Sequence, residues 1–213
     1  MAITESDLLF KYTGSGSTTN PEQSLGGTLS PNTIPSGQAN MVFDDVTGSE
    51  SESGNINHYR AIAIHNSHSS YIWMNTSIRV SGYVRASGTH DTIYFGVEKP
   101  SGSPSSIQTI ASETVAPTGV SWTEEGNPSA WVQISGADYD GSIGPDDWAG
   151  IWLKRTIPPN CEAFSNRSCT IEVIGETSAS PEIHRVGAKF VVYWDSSGFR
   201  VEKIFGDLEA KLM

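Results

Sequence analysis

The apolar residues of this chain recur with a period close to two almost from end to end, and that alternation is what most limits the folds open to it. His58 to His65 reads HYRAIAIH, with Arg60, Ile62 and Ile64 alternating against Tyr59, Ala61 and Ala63. The same pattern runs through Ile72–Val80, Thr92–Glu98 (TIYFGVE), Ser129–Ile134 (SAWVQI), Trp148–Ile157 (WAGIWLKRTI) and Cys169–Gly175 (CTIEVIG). In a strand, successive side chains point to opposite faces, so each run builds a two-sided ribbon of β-branched and aromatic residues. Turn chemistry separates the runs: Ser81-Gly82, Ser87-Gly88, Lys99-Pro100-Ser101-Gly102, Gly126-Asn127-Pro128 and Pro158-Pro159-Asn160. Short strands at this spacing, with no convincing helix between them, predict an all-β protein: an antiparallel sandwich or jelly roll.

Composition agrees. Among 213 residues there are 21 Gly and 11 Pro, and only 17% are charged, which excludes coiled coils, helix bundles and charged disordered tails. The organisation predicted is a strand at Leu8–Tyr12 and an extended polar arm within residues 1–40, a sandwich body over 41–177, and an extension over 178–213. In that extension Val186–Trp194 and Phe199–Phe205 flank the turn Asp195-Ser-Ser-Gly198 as a β-hairpin. The arm either lies on its own domain or crosses a neighbouring subunit. A lone hairpin is marginal in water, so this one needs a surface to dock on.

The formal net charge is −11, which repels phosphate backbones and acidic membrane surfaces, so neither nucleic acid nor membrane is an expected partner. The N-terminal MAITESDLLFKYTG carries no signal-peptide pattern, and no apolar run is long enough to span a bilayer. Synthesis in a reducing cytoplasm favours free thiols at Cys161 and Cys169, although a local disulfide between them is geometrically possible.

Sequence signals for chemistry are sparse. There is no nucleophile elbow, phosphate loop, dinucleotide fingerprint or zinc-protease pattern, and Gly14-Ser-Gly-Ser17 precedes no helix. The five histidines offer no third ligand at metal spacing, and no cofactor is expected. Asp138, Asp140 and Asp146 (beside Asp147) look like a fragment of a calcium loop, set against the simpler reading of a solvated acidic loop. A hydrolase reading would need two of these four carboxylates in one cleft. Asp44 and Asp45, with Glu50 and Glu52, form a second acidic cluster. Trp122 and Trp148 fall at predicted strand edges, where they could form a sugar-stacking platform; the other tryptophans in strands read as core.

A further pattern lies in ordered fragments: Ser24-Leu-Gly-Gly27; Phe43-Asp-Asp-Val46 followed by Glu50 and Gly54; Tyr59-Arg60; Glu113-Thr-Val-Ala-Pro117 with Gly119-Val120; Gly150-Ile-Trp-Leu-Lys-Arg-Thr-Ile-Pro158; and Ile174-Gly-Glu-Thr177. In order and rough spacing, from about Leu8 to Thr177, the chain resembles a family of small virion proteins of tailed bacteriophages and prophages. The resemblance implies a β-rich, non-enzymatic particle component, made in the host cytoplasm and resident in the virion. Its partners would be other virion proteins and copies of itself. Capsid, tail and baseplate all remain open, and residues 178–213 fall outside the resemblance.

The residues themselves suggest what such fragments do. Arg60 and Arg155 are among only 13 basic residues, and an arginine in a strand beside an acidic loop can form a two-pronged ion pair. The expectation is that Arg60 or Arg155 clamps Asp44 or Asp45, against the alternative that these groups are simply solvated on an outward face. The leading functional reading is a non-enzymatic structural component of a tailed-phage virion. The alternative is a carbohydrate-binding β-sandwich module of a fibre or secreted enzyme.

Overall fold

The computed structural model describes residues 2–35, 41–44, 47–85, 87–126, 131–162, 167–177, 185–194 and 201–202. They form an antiparallel β-sandwich. The strands are β1 Leu8–Thr13, β2 Gly26–Thr33, β3 Ile56–Asn66, β4 Trp73–Val84, β5 Thr92–Glu98, β6 Ser106–Thr109, β7 Thr123–Glu124, β8 Val132–Gln133, β9 Trp148–Ile157, β10 Arg167–Thr177, β11 Arg185–Trp194 and β12 Val201–Glu202. One sheet has seven strands in the order β6-β2-β1-β3-β9-β5-β7, and the other has five in the order β12-β11-β10-β4-β8.

Register decides which side chains enter the core. In the seven-stranded sheet Phe10 pairs with Ile64, which pairs with Ala149, while Ile62 pairs with Ile151 and Phe95 with Leu153. These residues meet Ile78, Val80, Ile171 and Val173 of the other sheet in one apolar cluster. Trp73 and Trp152 are the largest fully buried side chains, and truncating either would cost about 3–5 kcal/mol.

The opposite face of the seven-stranded sheet is also covered. Tyr59, Ala61, Ala63, Trp148 and Trp152 form a second cluster with Ile107 and Ile110, packed by Val120 and Trp122. β3 is therefore buried on both sides, as strands covered on both faces generally are.

Two sequence expectations need correction. The strand expected at Leu8–Tyr12 is present as β1, but the segment after it is not an arm: β2 pairs with β1, which sits between β2 and β3 in the sheet. The polar composition misled because Thr13, Ser24 and Ser30 are themselves buried. Ser24 Oγ donates to the Ala61 carbonyl at 2.5 Å, and Ser30 Oγ donates to the Thr18 carbonyl at 3.0 Å. Pro31 lies opposite a register shift between Lys11 and Thr13, where the missing N–H interrupts least. Gly26 has φ +91°, and any Cβ there would collide with the Gln108 carbonyl oxygen, so glycine is required.

The second correction is a helix where none was expected. α1 (Gly48–Ser53) is started by Thr47, whose side chain accepts from the Glu50 N–H while Glu50 caps back. Its last turn docks where the Ser51 hydroxyl donates to the Cys161 carbonyl at 3.0 Å and the Asn160 N–H to the Ser51 carbonyl at 2.9 Å. Gly54 (φ +65°) leaves room for Pro159.

At the other terminus β11 pairs with β10 from Arg185 to Trp194, and β12 pairs with β11 at Val191 and Val192. The hairpin thus extends the five-stranded sheet of its own sandwich. Its turn, Asp195–Gly198, lies outside the described residues.

Candidate functional site

Parity along the strands places three arginines on the apolar side. Arg60 shares the face of Ile62 and Ile64, Arg155 that of Leu153 and Ile157, and Arg167 that of Cys169 and Ile171. They are 1%, 0% and 3% exposed. A cation buried this way must be paired, and each one is.

Arg155 and Arg60 lie side by side at one end of the sandwich, under the segment that carries Phe43. Arg155 donates to the Asp44 carbonyl and, at 3.2 Å, to Asp44 Oδ1. Its Nη2 also donates to His58 Nδ1 at 3.0 Å. A guanidinium can only donate, so Nδ1 is the acceptor and the neutral ring carries its proton on Nε2. That Nε2 faces Glu50 Oε1 at 3.4 Å, while Glu50 Oε2 accepts from the Thr47 N–H at 2.6 Å. The cap that starts α1 therefore also aims Glu50 at His58.

Arg60 Nη2 forms an ion pair with Glu113 Oε2 at 2.5 Å, and its Nη1 donates to the Tyr59 carbonyl at 3.2 Å. The Glu113 carbonyl accepts from the Tyr59 N–H at 2.7 Å, which lays its loop along the strand. The Phe43 ring sits 5.0 Å from the Arg155 guanidinium carbon and 5.8 Å from that of Arg60. Neither Nε has a hydrogen-bond acceptor, and the ring face offsets part of that deficit.

Burial and then the Arg155 charge lower the His58 pKa, against the opposing pull of Glu113, Glu50 and Asp44. Asp44, His58 and Glu113 bring one donor atom each within 4.8 Å of one another. The imidazole lone pair is already directed at Arg155, so a metal ion there would have to displace a buried guanidinium. Arg155 is the resident cation of this cluster.

Of the predicted clamp, the structure brings Arg155 to Asp44 and gives Arg60 to Glu113. Asp45 lies outside the described residues. Glu113, Glu50 and His58 were not connected with the clamp in the sequence, because pairing across β3 and its loops is long-range. The legible signal was the parity of the two arginines.

Arg167 heads a second cluster. Nε donates to Asp91 Oδ1 at 2.8 Å, Nη1 to the Ser168 carbonyl at 2.9 Å, and Nη2 to Glu125 Oε1. Arg85 approaches Glu125 at 3.6 Å. Burial alone would lower the Arg167 pKa, but Asp91 and then Glu125 reverse this and raise it. Nothing in the sequence reading had singled out this trio.

The remaining sequence candidates are dispersed. Asp140 is exposed and pairs with Lys99 at 2.7 Å, and Asp146 is exposed and meets His65 Nε2 at 3.0 Å. Asp138 is exposed too, and its N–H reaches Asp147 Oδ2 at 3.4 Å. Among the described residues these carboxylates do not gather into a group that could hold a metal ion; Asp140 and Asp146 pair instead with Lys99 and His65. The Lys99 ammonium holds the Asp140 carboxyl below its ordinary value.

The expected tryptophan platform is not there. Trp148 is 4% exposed, roofed by the segment that carries Ile107 and Ile110. Trp122 is half-buried, with Tyr59 at 5.7 Å and the Lys154 ammonium at 5.3 Å from its ring. Trp122 lies by Lys154, six residues along β9 from Trp148, or about 20 Å at ~3.3 Å per residue. The period-two reading assumed that one sheet face meets water, and here both faces are covered. Cys161 and Cys169 are both free thiols; Cys169 is buried in the core, and burial raises its pKa.

No family model matches the chain, and no curated protein matches it. Among solved structures the chain is similar to the ASH/PapD-like domain of human CEP192 (PapD-like domain 7). Identity is 4%, 87% of this chain and 84% of that one are covered, and the TM-score is 0.23.

Proposed function

We propose that the chain is a non-enzymatic structural component of a tailed-phage virion, working through repeated contacts with other virion proteins and with copies of itself. One observation carries this reading. Five of the six fragments behind the family resemblance meet at one end of the sandwich. Ser24 bonds β3 at Ala61, Phe43-Asp44 and Glu50 cover β3 and β9, Tyr59-Arg60 receives Glu113, and Arg155 binds Asp44. What the resemblance marks is thus an internal brace, which fastens a strap (residues 41–44 and 47–55) and a loop onto a rigid slab.

A part held in a particle needs that kind of rigidity, since each contact is weak and the sum over many copies is strong. The acidic surface would keep free subunits soluble and off DNA until they dock. Mass spectrometry of purified particles is the test. The protein is expected in washed virions at a fixed multiple of the portal copy number, and its absence from them would overturn the reading.

A further inference from the structure

A groove of about 630 Å³ opens on the far side of the seven-stranded sheet, between the loop after β1 and the strands β2 and β6. That volume lies within the range of small-molecule sites, roughly 300–1,000 Å³. Its floor is apolar, made by Leu25, Ile107 and Ile110. Gly14, Gly26 and Gly27 leave backbone in place of side chains along one wall.

The rim is polar, and one carboxylate, Glu22, is its only charge. Gln23 and Thr109 are exposed, and their side chains make no hydrogen bond within the protein. The Glu22 carboxylate and the Ser15 hydroxyl are also exposed and free of internal partners. Four uncommitted donors and acceptors thus ring an apolar floor.

The backbone offers less. On β6 the Ser106 N–H already donates to the Ser101 carbonyl at 2.9 Å, and the Gln108 N–H to Glu98 Oε1 at 2.8 Å. Just beyond the strand, the Ile110 N–H donates to the Leu25 carbonyl at 3.0 Å. A peptide seeking to add a strand here finds these N–H groups taken. A phosphate or an acidic sugar finds no cation and meets Glu22.

We propose that this groove binds a neutral saccharide, whose hydroxyls donate to the Glu22 carboxylate and exchange hydrogen bonds with Ser15, Gln23 and Thr109 while its C–H face rests on Leu25, Ile107 and Ile110. The site is distinct from the tryptophans, and it stands whether or not the protein proves to be a virion component.

The experiment is a neutral-glycan array on the intact protein, followed by amide-shift titration with maltotriose, cellotriose and triacetylchitotriose. Glucuronate oligosaccharides and an extended peptide serve as competitors. At least one neutral glycan is expected to shift the Ser15, Gln23 and Thr109 amides. Gln23→Ala and Thr109→Val, both at exposed positions, are each expected to weaken it roughly three- to tenfold, the loss of one hydrogen bond, with thermal stability unchanged. The assignment is overturned if no neutral glycan binds, if shifts map to Trp122 instead, if both variants bind like wild type, or if the acidic sugar or the peptide binds more tightly.

Discussion

The two arginine clusters use the same chemistry and differ in what seals them. Around Arg167 the side chains of Asp91 and Glu125 are 6% and 0% exposed, and all three groups stand in or beside sheet strands. Around Arg155 and Arg60 the cations are as deeply buried, but Asp44 is 46%, Glu113 34% and Glu50 20% exposed. Those carboxylates arrive on a strap and a loop. The first cluster is sealed within the framework, whereas the second is a clasp with one half anchored in the sheet and the other half detachable. Burying an ion pair is costly in itself, so neither cluster is there for raw stability. The contrast assigns the clasp the task of fixing where the strap lies.

Breaking the sealed cluster should do the most damage. Arg167→Ala strands two buried carboxylates, and a loss of about 3–5 kcal/mol is expected, lowering Tm by on the order of 10 °C in a scanning-calorimetry trace. Arg155→Ala should cost less, about 2–3 kcal/mol, because the Asp44 that it strands can turn to water. Arg60→Ala should cost about 1–2 kcal/mol for the same reason at Glu113. If that variant melts like wild type, Arg60 is no part of the clasp. If Arg155→Ala proves as damaging as Arg167→Ala, the distinction between sealed and detachable fails.

Acid sharpens the comparison further. His58 and His65 are both held below the ordinary histidine value, chiefly by burial. The unfolded chain therefore takes up protons first as pH falls below about 6.5, and stability declines with it. Urea midpoints should drop between pH 7 and pH 5, and His58→Gln should reduce that slope. A flat profile would mean that His58 is not the neutral acceptor of Arg155. At the small end, Lys99→Ala removes an exposed pair and should leave Tm unchanged.

Much of the framework was readable from the sequence, because period-two runs carry both strand position and facing. β3, β4, β5, β9 and β10 lie where the alternation puts them. β2 was missed because Gly26, Gly27 and Pro31 break the pattern, and its place is set by buried hydroxyl bonds such as Ser24 to Ala61. α1 was missed because a single capped turn of Gly, Ser and Glu has no apolar face. Trp148 misled because its cover, the segment at Ile107 and Ile110, is some forty residues away in the chain. The arginines were half legible. Their parity marks them as buried, but their partners come from loops whose paths no local pattern records.

Hydrogen exchange resolved by residue tests the clasp most directly, with wild type compared against Arg155→Ala. The clasp predicts that protection is lost at Ser51 and Gly54 of the strap and at Tyr59, whose N–H bonds the Glu113 loop, while β4 and β10 keep theirs. Uniform loss across both sheets, or an unchanged strap, would contradict it.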